Sequence, residues 1–177
     1  MDEMLEKIFV MEIEKQCKFG LLCKKNMDEF LVNPISKDIT EFWFYAQGFL
    51  ISAANISKLL WGSDKPEDNR KRYKERSPLR EKLGINSDSA LNDRRVRNCY
   101  EHFDEKIEHW IGKTKNRAFV DSNIGTENMI GNMKKKDHIR FYDLEKHILS
   151  FQAKEFHIEP VVEQMIKLRE SASLYLK

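Results

Sequence analysis

The sequence has few of the residues that interrupt regular structure. It contains only 7 Gly and 4 Pro in 177 residues, whereas 41% of its residues are hydrophobic. Disordered chains have fewer apolar residues or more Gly and Pro, so this composition argues against disorder. We therefore expect a globular, helix-rich protein that forms a single domain over residues 1–177 with its own core.

Cysteines and long apolar runs are also scarce. Cys17, Cys23 and Cys99 form no C-x-x-C pair, and their odd number argues against a secreted disulfide framework. No stretch approaches the roughly 18 apolar residues of a membrane span. These absences predict a cytoplasmic protein with reduced thiols and no membrane association.

The charges nearly balance, with 31 Lys and Arg against 29 Asp and Glu, so the overall attraction to nucleic acid is weak. Any RNA binding must come from local clusters. The densest basic run is 70–76, followed by Arg80 and Lys82. This run is either a solvated loop or short helix, or a phosphate-binding flank in which Arg72 contacts phosphate and Tyr73 stacks on a base.

Apolar periodicity predicts a mainly α fold. The predicted core helices span about 4–26, 38–61, 89–111 and 160–175, with a break from residue 62 to residue 87. Asp38 or Thr40 can cap the second helix, and Pro160 suits the first position of the last one. Alternating apolar residues predict a β-hairpin at about 138–151, with a third short extended segment at 156–158.

The helix predicted to include Asn92 to Ile111 separates its residues by face. Its apolar stripe consists of Val96, Tyr100, Phe103, Ile107 and Trp110. Its polar side consists of Arg94, Asn98, Glu101, His102, Glu105 and His109, with Arg97 at one flank. We expect the first set to face the core and the second to carry chemistry.

Arg97 and His102 are separated by four residues, and Asn98 directly follows the arginine. Phe103-Asp104-Glu105 follows the histidine. This segment resembles the R-x4-6-H motif of the HEPN superfamily. The resemblance implies a HEPN-like helical bundle, here with a small β-hairpin before the C-terminal helix. It also implies a homodimer that cleaves RNA without a metal or cofactor.

Five residues along a helix rotate by about 500°, so Arg97 and His102 point roughly 140° apart. A second copy is needed to bring both groups to one cleft. In this hypothesis His102 is the general base or acid, Arg97 stabilises charge on the phosphate, and Asn98 positions groups by hydrogen bonding. The residues expected to contact substrate are Arg94, Glu101, Glu105, Arg72 and Tyr73.

The biological setting of such a ribonuclease would be a toxin, paired with an antitoxin protein, or a phage-defence effector. The main alternative is a noncatalytic dimerisation or interaction module that binds protein, nucleotide or RNA. In that case Arg97 pairs with Glu101, and His102 is an ordinary surface residue. About 75 residues follow His102, more than in the simplest HEPN pattern.

A further alternative is a metal-dependent hydrolase. The residues on which it would depend are Glu101, His102, Glu105 and His109. This set has suitable ligand atoms on one face but no recognised metal motif such as H-E-x-x-H.

Overall fold

The computed structural model describes residues 2–33, 38–62, 66–93, 98, 102–113, 120–126, 129, 137–152 and 154–177. The chain forms two compact units. The first, which we call the helical unit, comprises Met1–Arg94 and Pro160–Lys177. The second, the sheet unit, comprises Arg95–Glu159.

The predicted mainly helical fold, with strands before the last helix, is confirmed. The helices are α1 (Glu3–Val32), α2 (Ile39–Trp61), α3 (Pro66–Glu75), α4 (Ser77–Lys82), α5 (Phe103–Lys113) and α6 (Ile158–Tyr175). The strands are β1 (Asn123–Gly125), β2 (Arg140–Asp143), β3 (Ile148–Phe151) and β4 (Lys154–His157). A 3₁₀ turn spans Ala90–Asn92.

Helices α1 and α2 form a long antiparallel hairpin. The predicted cap of α2 is confirmed, since the Asp38 carboxylate accepts a hydrogen bond from the Thr40 amide at 2.9 Å. Helix α1 extends beyond the predicted end at residue 26, because Met27 and Phe30 continue its buried face. The Phe30 ring lies 5.7 Å from that of Phe42 on α2.

Two glycines allow the helices of this unit to approach closely. A Cβ atom on Gly20 would lie 2.7 Å from the Met165 sulfur of α6, and one on Gly48 would lie 2.8 Å from the Cys23 sulfur of α1. Cys17 is fully buried on α1, and this burial raises the pKa of its thiol to about 12. The core of the helical unit is therefore built where α1 meets α2 and α6.

The segment from residue 62 to residue 87 contains the short helices α3 and α4, so the short-helix alternative for the basic run is confirmed. Two arginines attach these helices to the end of α2. Arg80 donates hydrogen bonds to the Leu60 carbonyl at 2.6 Å and to the Tyr73 carbonyl at 3.1 Å, and Arg76 donates to the Lys58 carbonyl. The last carbonyls of a helix have no partner within it, so Arg80 caps α2 at Leu60. Arg76 adds a second donor to the Lys58 carbonyl, which also accepts from the Gly62 amide at 3.0 Å.

A buried carboxylate connects α1, α4 and α6. Glu6 accepts hydrogen bonds from Lys82 Nζ at 2.5 Å and from the Tyr175 hydroxyl at 2.6 Å. These bonds, above all the one from Lys82, lower the pKa of Glu6 although burial opposes the shift. Glu6 is thus held charged among three helices that are distant in sequence.

The sheet has the strand order β1-β2-β3-β4, with β1 parallel to β2 and the other neighbours antiparallel. The predicted hairpin is therefore confirmed, and β4 accounts for most of the third predicted segment. The three-residue strand β1 was not predicted. Arg140 pairs with Asp121 beside β1, and its hydrogen bonds outweigh the effect of burial and lower the pKa of that carboxyl.

The helix predicted from about residue 89 is interrupted near its start. Ser89 caps the 3₁₀ turn, and this turn ends at Asp93, whose backbone is extended. Helix α5 begins at Phe103 and ends at Lys113, two residues beyond the predicted end. At the other end of the sheet unit, α6 begins at Ile158 rather than at Pro160.

Candidate functional site

His102 directly precedes α5 and is joined to it by helical hydrogen bonds. Its amide donates to the Asn98 carbonyl at 3.2 Å, and its own carbonyl accepts from the Lys106 amide at 3.1 Å. Its side chain is 57% exposed, and Nδ1 lies 3.5 Å from Glu105 Oε1. The imidazole is therefore accessible from solvent and has a carboxylate beside one of its nitrogens.

The opposite side of α5 is attached to the sheet. The Phe103 ring meets the Phe151 ring edge-on at 5.7 Å, and the Arg140 guanidinium lies 5.1 Å above the Phe103 ring. The Gln152 side-chain amide donates to the Lys106 carbonyl at 3.0 Å. These contacts fix the orientation of α5, so they also determine which of its side chains face outward.

The polar face of α5 brings together three of the residues singled out from the sequence. His102, Glu105 and His109 are all exposed, and they fall within an arc of about 60° around the helix. Trp110 is buried, as expected for the apolar stripe. For the residues that the structure describes, the predicted separation of this helix into a polar exposed side and an apolar buried side is thus confirmed.

The arrangement of His102 and Glu105 suits proton transfer. At 3.5 Å the two groups are at the limit of hydrogen bonding, but the carboxylate can stabilise a positive charge on the ring. If Nδ1 faces Glu105, Nε2 is left to exchange a proton with a bound group. Such a histidine can act as a general base or acid.

The remaining motif residues are only partly described. Asn98 is helical and half-buried. Arg94, Arg97 and Glu101 lie outside the described residues, so their predicted roles remain predictions. Only the sequence motif connects these three residues with His102.

The predicted phosphate-binding flank lies in the helical unit. Arg72 is exposed on α3, and Tyr73 is partly exposed with the Arg80 guanidinium 4.4 Å from its ring centre. The prediction that the whole basic cluster binds phosphate is corrected for three of its residues. Arg76 and Arg80 bind carbonyls at the end of α2, and Lys82 binds Glu6. Arg72 and Tyr73 stay predicted substrate contacts.

The described residues form neither a metal-binding cluster nor a membrane-spanning helix. Within the described part of the chain, no group of three His, Cys, Asp or Glu side chains is arranged to hold a metal ion. Of the proposed metal ligands, Glu101 lies outside that part. None of the helices described there has the length and apolar character required to cross a membrane.

The sheet unit contains an ion pair and a buried histidine, neither of which was predicted from the sequence. Asp121 and Arg140 are 19 residues apart and form the ion pair described above. His138 is buried, and its Nδ1 has no hydrogen-bond partner among the described residues. Burial lowers its pKa. Neither feature has a local sequence signal, because the partners and the burial arise from strand pairing.

Comparison with protein-family models gave no match, and neither did comparison with curated proteins or with solved structures.

Proposed function

We propose that this chain is a HEPN-like, metal-independent endoribonuclease that acts as a homodimer. The observation that carries the proposal is the position of His102: its side chain is exposed beside Glu105 on a helix whose other side is attached to a sheet. This histidine is also the last residue of the R-x4-H sequence. Support therefore comes from the motif and from the accessibility of its histidine.

In the proposed reaction, His102 accepts the proton of a ribose 2′-hydroxyl. The 2′-oxygen attacks the adjacent phosphorus, and the bond from phosphorus to the 5′-oxygen breaks. That leaving oxygen takes up a proton, so the products are a 2′,3′-cyclic phosphate and a 5′-hydroxyl. Glu105 stabilises the protonated His102, while Arg97 neutralises charge on the phosphate and Asn98 positions it.

The proposed site requires two copies of the chain. If one helix carries both Arg97 and His102, as the sequence predicts, the two side chains point roughly 140° apart and cannot bind the same phosphate. Two motif helices that cross can supply the arginine from one copy and the histidine from the other. Arg94, Glu101, Arg72 and Tyr73 are proposed to extend contacts to the RNA.

The proposed setting is the cytoplasm, where a ribonuclease of this kind would act as a toxin or a phage-defence effector. A toxin would need an antitoxin protein to hold it inactive. The RNA substrate is accordingly expected to be cellular or phage RNA.

The test is incubation of total RNA with purified protein in EDTA, followed by analysis of the new RNA ends. Wild type should produce 2′,3′-cyclic phosphate ends, and His102→Ala should reduce cleavage roughly a thousandfold without changing the unfolding temperature. His109→Ala is the matched control, since it removes another exposed histidine from the same helix face and should leave cleavage nearly unchanged. Equal activity of His102→Ala and wild type would disprove the proposed role of His102.

A noncatalytic interaction module is the second candidate function. The observation that favours it is a large exposed apolar surface on α1 and α2. RNA or protein binding without any RNA cleavage by the folded dimer would support this candidate over the ribonuclease.

A further inference from the structure

Helix α1 has an apolar stripe on each of two opposite sides. One stripe is buried in the helical unit and includes Val10, Ile13 and Cys17. The other is exposed and consists of Met4, Ile8, Met11, Phe19 and Leu22. Exposure in this second set ranges from 49% at Ile8 to 73% at Met4. A helix that needed to pack only within its own unit would require just the first stripe.

The exposed stripe has the spacing of a helix-packing surface. Its five residues fall within an arc of about 80°. With Lys15 and Lys18 included, successive positions from Met4 to Leu22 are separated by four, three, four, three and four residues. This is the heptad spacing with which one helix packs along another at a small angle.

Helix α2 extends the same surface. Phe44 is 71% exposed and Ile51 is 50% exposed, and they lie seven residues apart on one side of the helix. Gly48 and Asn55 of α2 face Cys23 and Gln16 of α1. On both helices the exposed stripe is rotated in the same sense from these contacts. Because the helices are antiparallel, the two stripes lie on the same side of the hairpin.

The size of this surface fits a protein interface. The exposed area of these seven side chains is on the order of 700 Å², close to the roughly 800 Å² that each partner contributes to a standard interface. Exposed apolar area of several hundred Å² often marks a protein interaction site.

The charges on the surface are already paired within α1. Lys15 binds Glu12 at 3.0 Å, and Lys18 binds Glu14 at 2.9 Å. The surface therefore has little unbalanced charge with which to select an acidic or basic partner. Apolar contact must decide what covers it, and self-association is permitted because the lysines of two copies would each be neutralised locally.

We infer that the exposed face of the α1–α2 hairpin binds the same face of a second copy of this chain. The two hairpins form a four-helix arrangement around a two-fold axis. In an antiparallel pairing centred on Lys15, Ile8 of one copy lies opposite Leu22 of the other, and Met11 lies opposite Phe19. Every large side chain in the middle of the α1 stripe then has an apolar partner. This inference does not depend on the proposed ribonuclease activity.

The first experiment measures the mass of the full chain by light scattering or sedimentation. Wild type should be a dimer. Met11→Glu and Leu22→Glu should each raise the dimer dissociation constant at least about a hundredfold, because each change places two charges in the apolar interface. Ile166→Glu is the control, since Ile166 is a partly exposed residue of α6 outside the stripe and its variant should stay dimeric.

Circular dichroism should show the same helix content for all variants, because the changed side chains are exposed in one copy. The unfolding temperature of Met11→Glu and Leu22→Glu should no longer rise with protein concentration, because these variants lose the stabilisation that dimer formation gives. A wild type that is monomeric, or a folded Met11→Glu variant that stays dimeric, would overturn the inference.

Cysteine cross-linking tests the pairing itself. Under mild oxidation Lys15→Cys should form a disulfide between two copies, whereas Lys74→Cys on α3 should not. A folded Lys15→Cys variant that does not cross-link, or that does so no faster than Lys74→Cys, would overturn the antiparallel pairing. The two proposals can fail separately. A dimeric wild type that cleaves no RNA would contradict the function proposal alone, whereas a Met11→Glu variant that stays dimeric and cleaves RNA would contradict this inference alone.

Discussion

The basic segment 70–82 and the polar face of α5 are both rich in charged and polar side chains, but the structure uses them differently. In the basic segment, Arg76 and Arg80 are bound to carbonyls at the end of α2, and Lys82 is bound to Glu6. On α5, His102 and its neighbour Glu105 face solvent. A dense run of charge therefore does not tell which of its side chains have structural roles: Arg76, Arg80 and Lys82 have them, whereas Arg72 and Lys74 are exposed.

The two regions differ because different binding partners lie next to their charged side chains. The end of α2 leaves backbone carbonyls that an arginine can satisfy, and a buried carboxylate requires a cation. On α5 the contacts of Phe103 and of the Lys106 carbonyl with the sheet hold the helix in place from the other side. The polar side chains there are consequently free of a structural task that burial would impose.

The largest expected effect is on stability, in the basic segment. Arg80→Met removes two hydrogen bonds from a charged donor that is only 5% exposed, so it should lower the free energy of unfolding by roughly 2–3 kcal/mol. Lys74→Met removes a charge from the exposed surface of α3 and should change it by less than about 0.5 kcal/mol. Urea unfolding measures both. Equal losses would show that Arg80 has no special structural role.

A smaller effect is expected on α5, in catalysis rather than stability. Glu105→Gln removes the negative charge beside His102 and should slow RNA cleavage about tenfold, which corresponds to about 1.4 kcal/mol. Glu108→Gln removes a charge from another part of the same helix and should leave the rate unchanged. The rates are compared at equal dimer concentration. If both variants cleave RNA equally fast, Glu105 does not assist His102.

The smallest expected effect is a loss of folding stability at low pH, when Glu6 becomes protonated. Its pKa is lowered from 4.5 in the folded protein, so its charge stabilises the fold above that value and the stabilisation is lost as pH falls through the lowered pKa. The unfolding temperature of wild type should therefore fall more than that of Glu6→Gln as pH decreases from about 6 to about 3. Parallel curves for the two proteins would contradict this role of Glu6.

The parts of the fold that the sequence predicted are those with local signals. Apolar periodicity located α1 and α2, and Asp38 marked where α2 begins. Alternation located β2 and β3. Helices α3 and α4 were not among the predicted core helices, and a short helix was only one alternative for the basic run. Their charged sequence has little apolar periodicity, and their arginines bind a helix that precedes them in the chain. A three-residue strand such as β1 has too few residues to show alternation.

The candidate site was predicted in part for the same reason. The 100° rotation per residue correctly placed His102 and Glu105 on one exposed face and Trp110 on the buried one. The start of the helix was wrong, since Asp93 is extended after a 3₁₀ turn. The association of Glu6 with Tyr175, 169 residues away, arises only from the packing of α1 against α6.

The order of the segments along the chain has a consequence for synthesis on the ribosome. Helices α1 and α2 emerge before the sheet unit and can pair at once, but α6 follows the whole of that unit. Until then the side of α1 that α6 covers, including the surroundings of Gly20, remains without its partner. Before α6 is synthesised, a nascent chain would thus expose two apolar surfaces of α1, namely the exposed stripe and the side that α6 later covers. Chaperone binding is expected to be strongest during this stage.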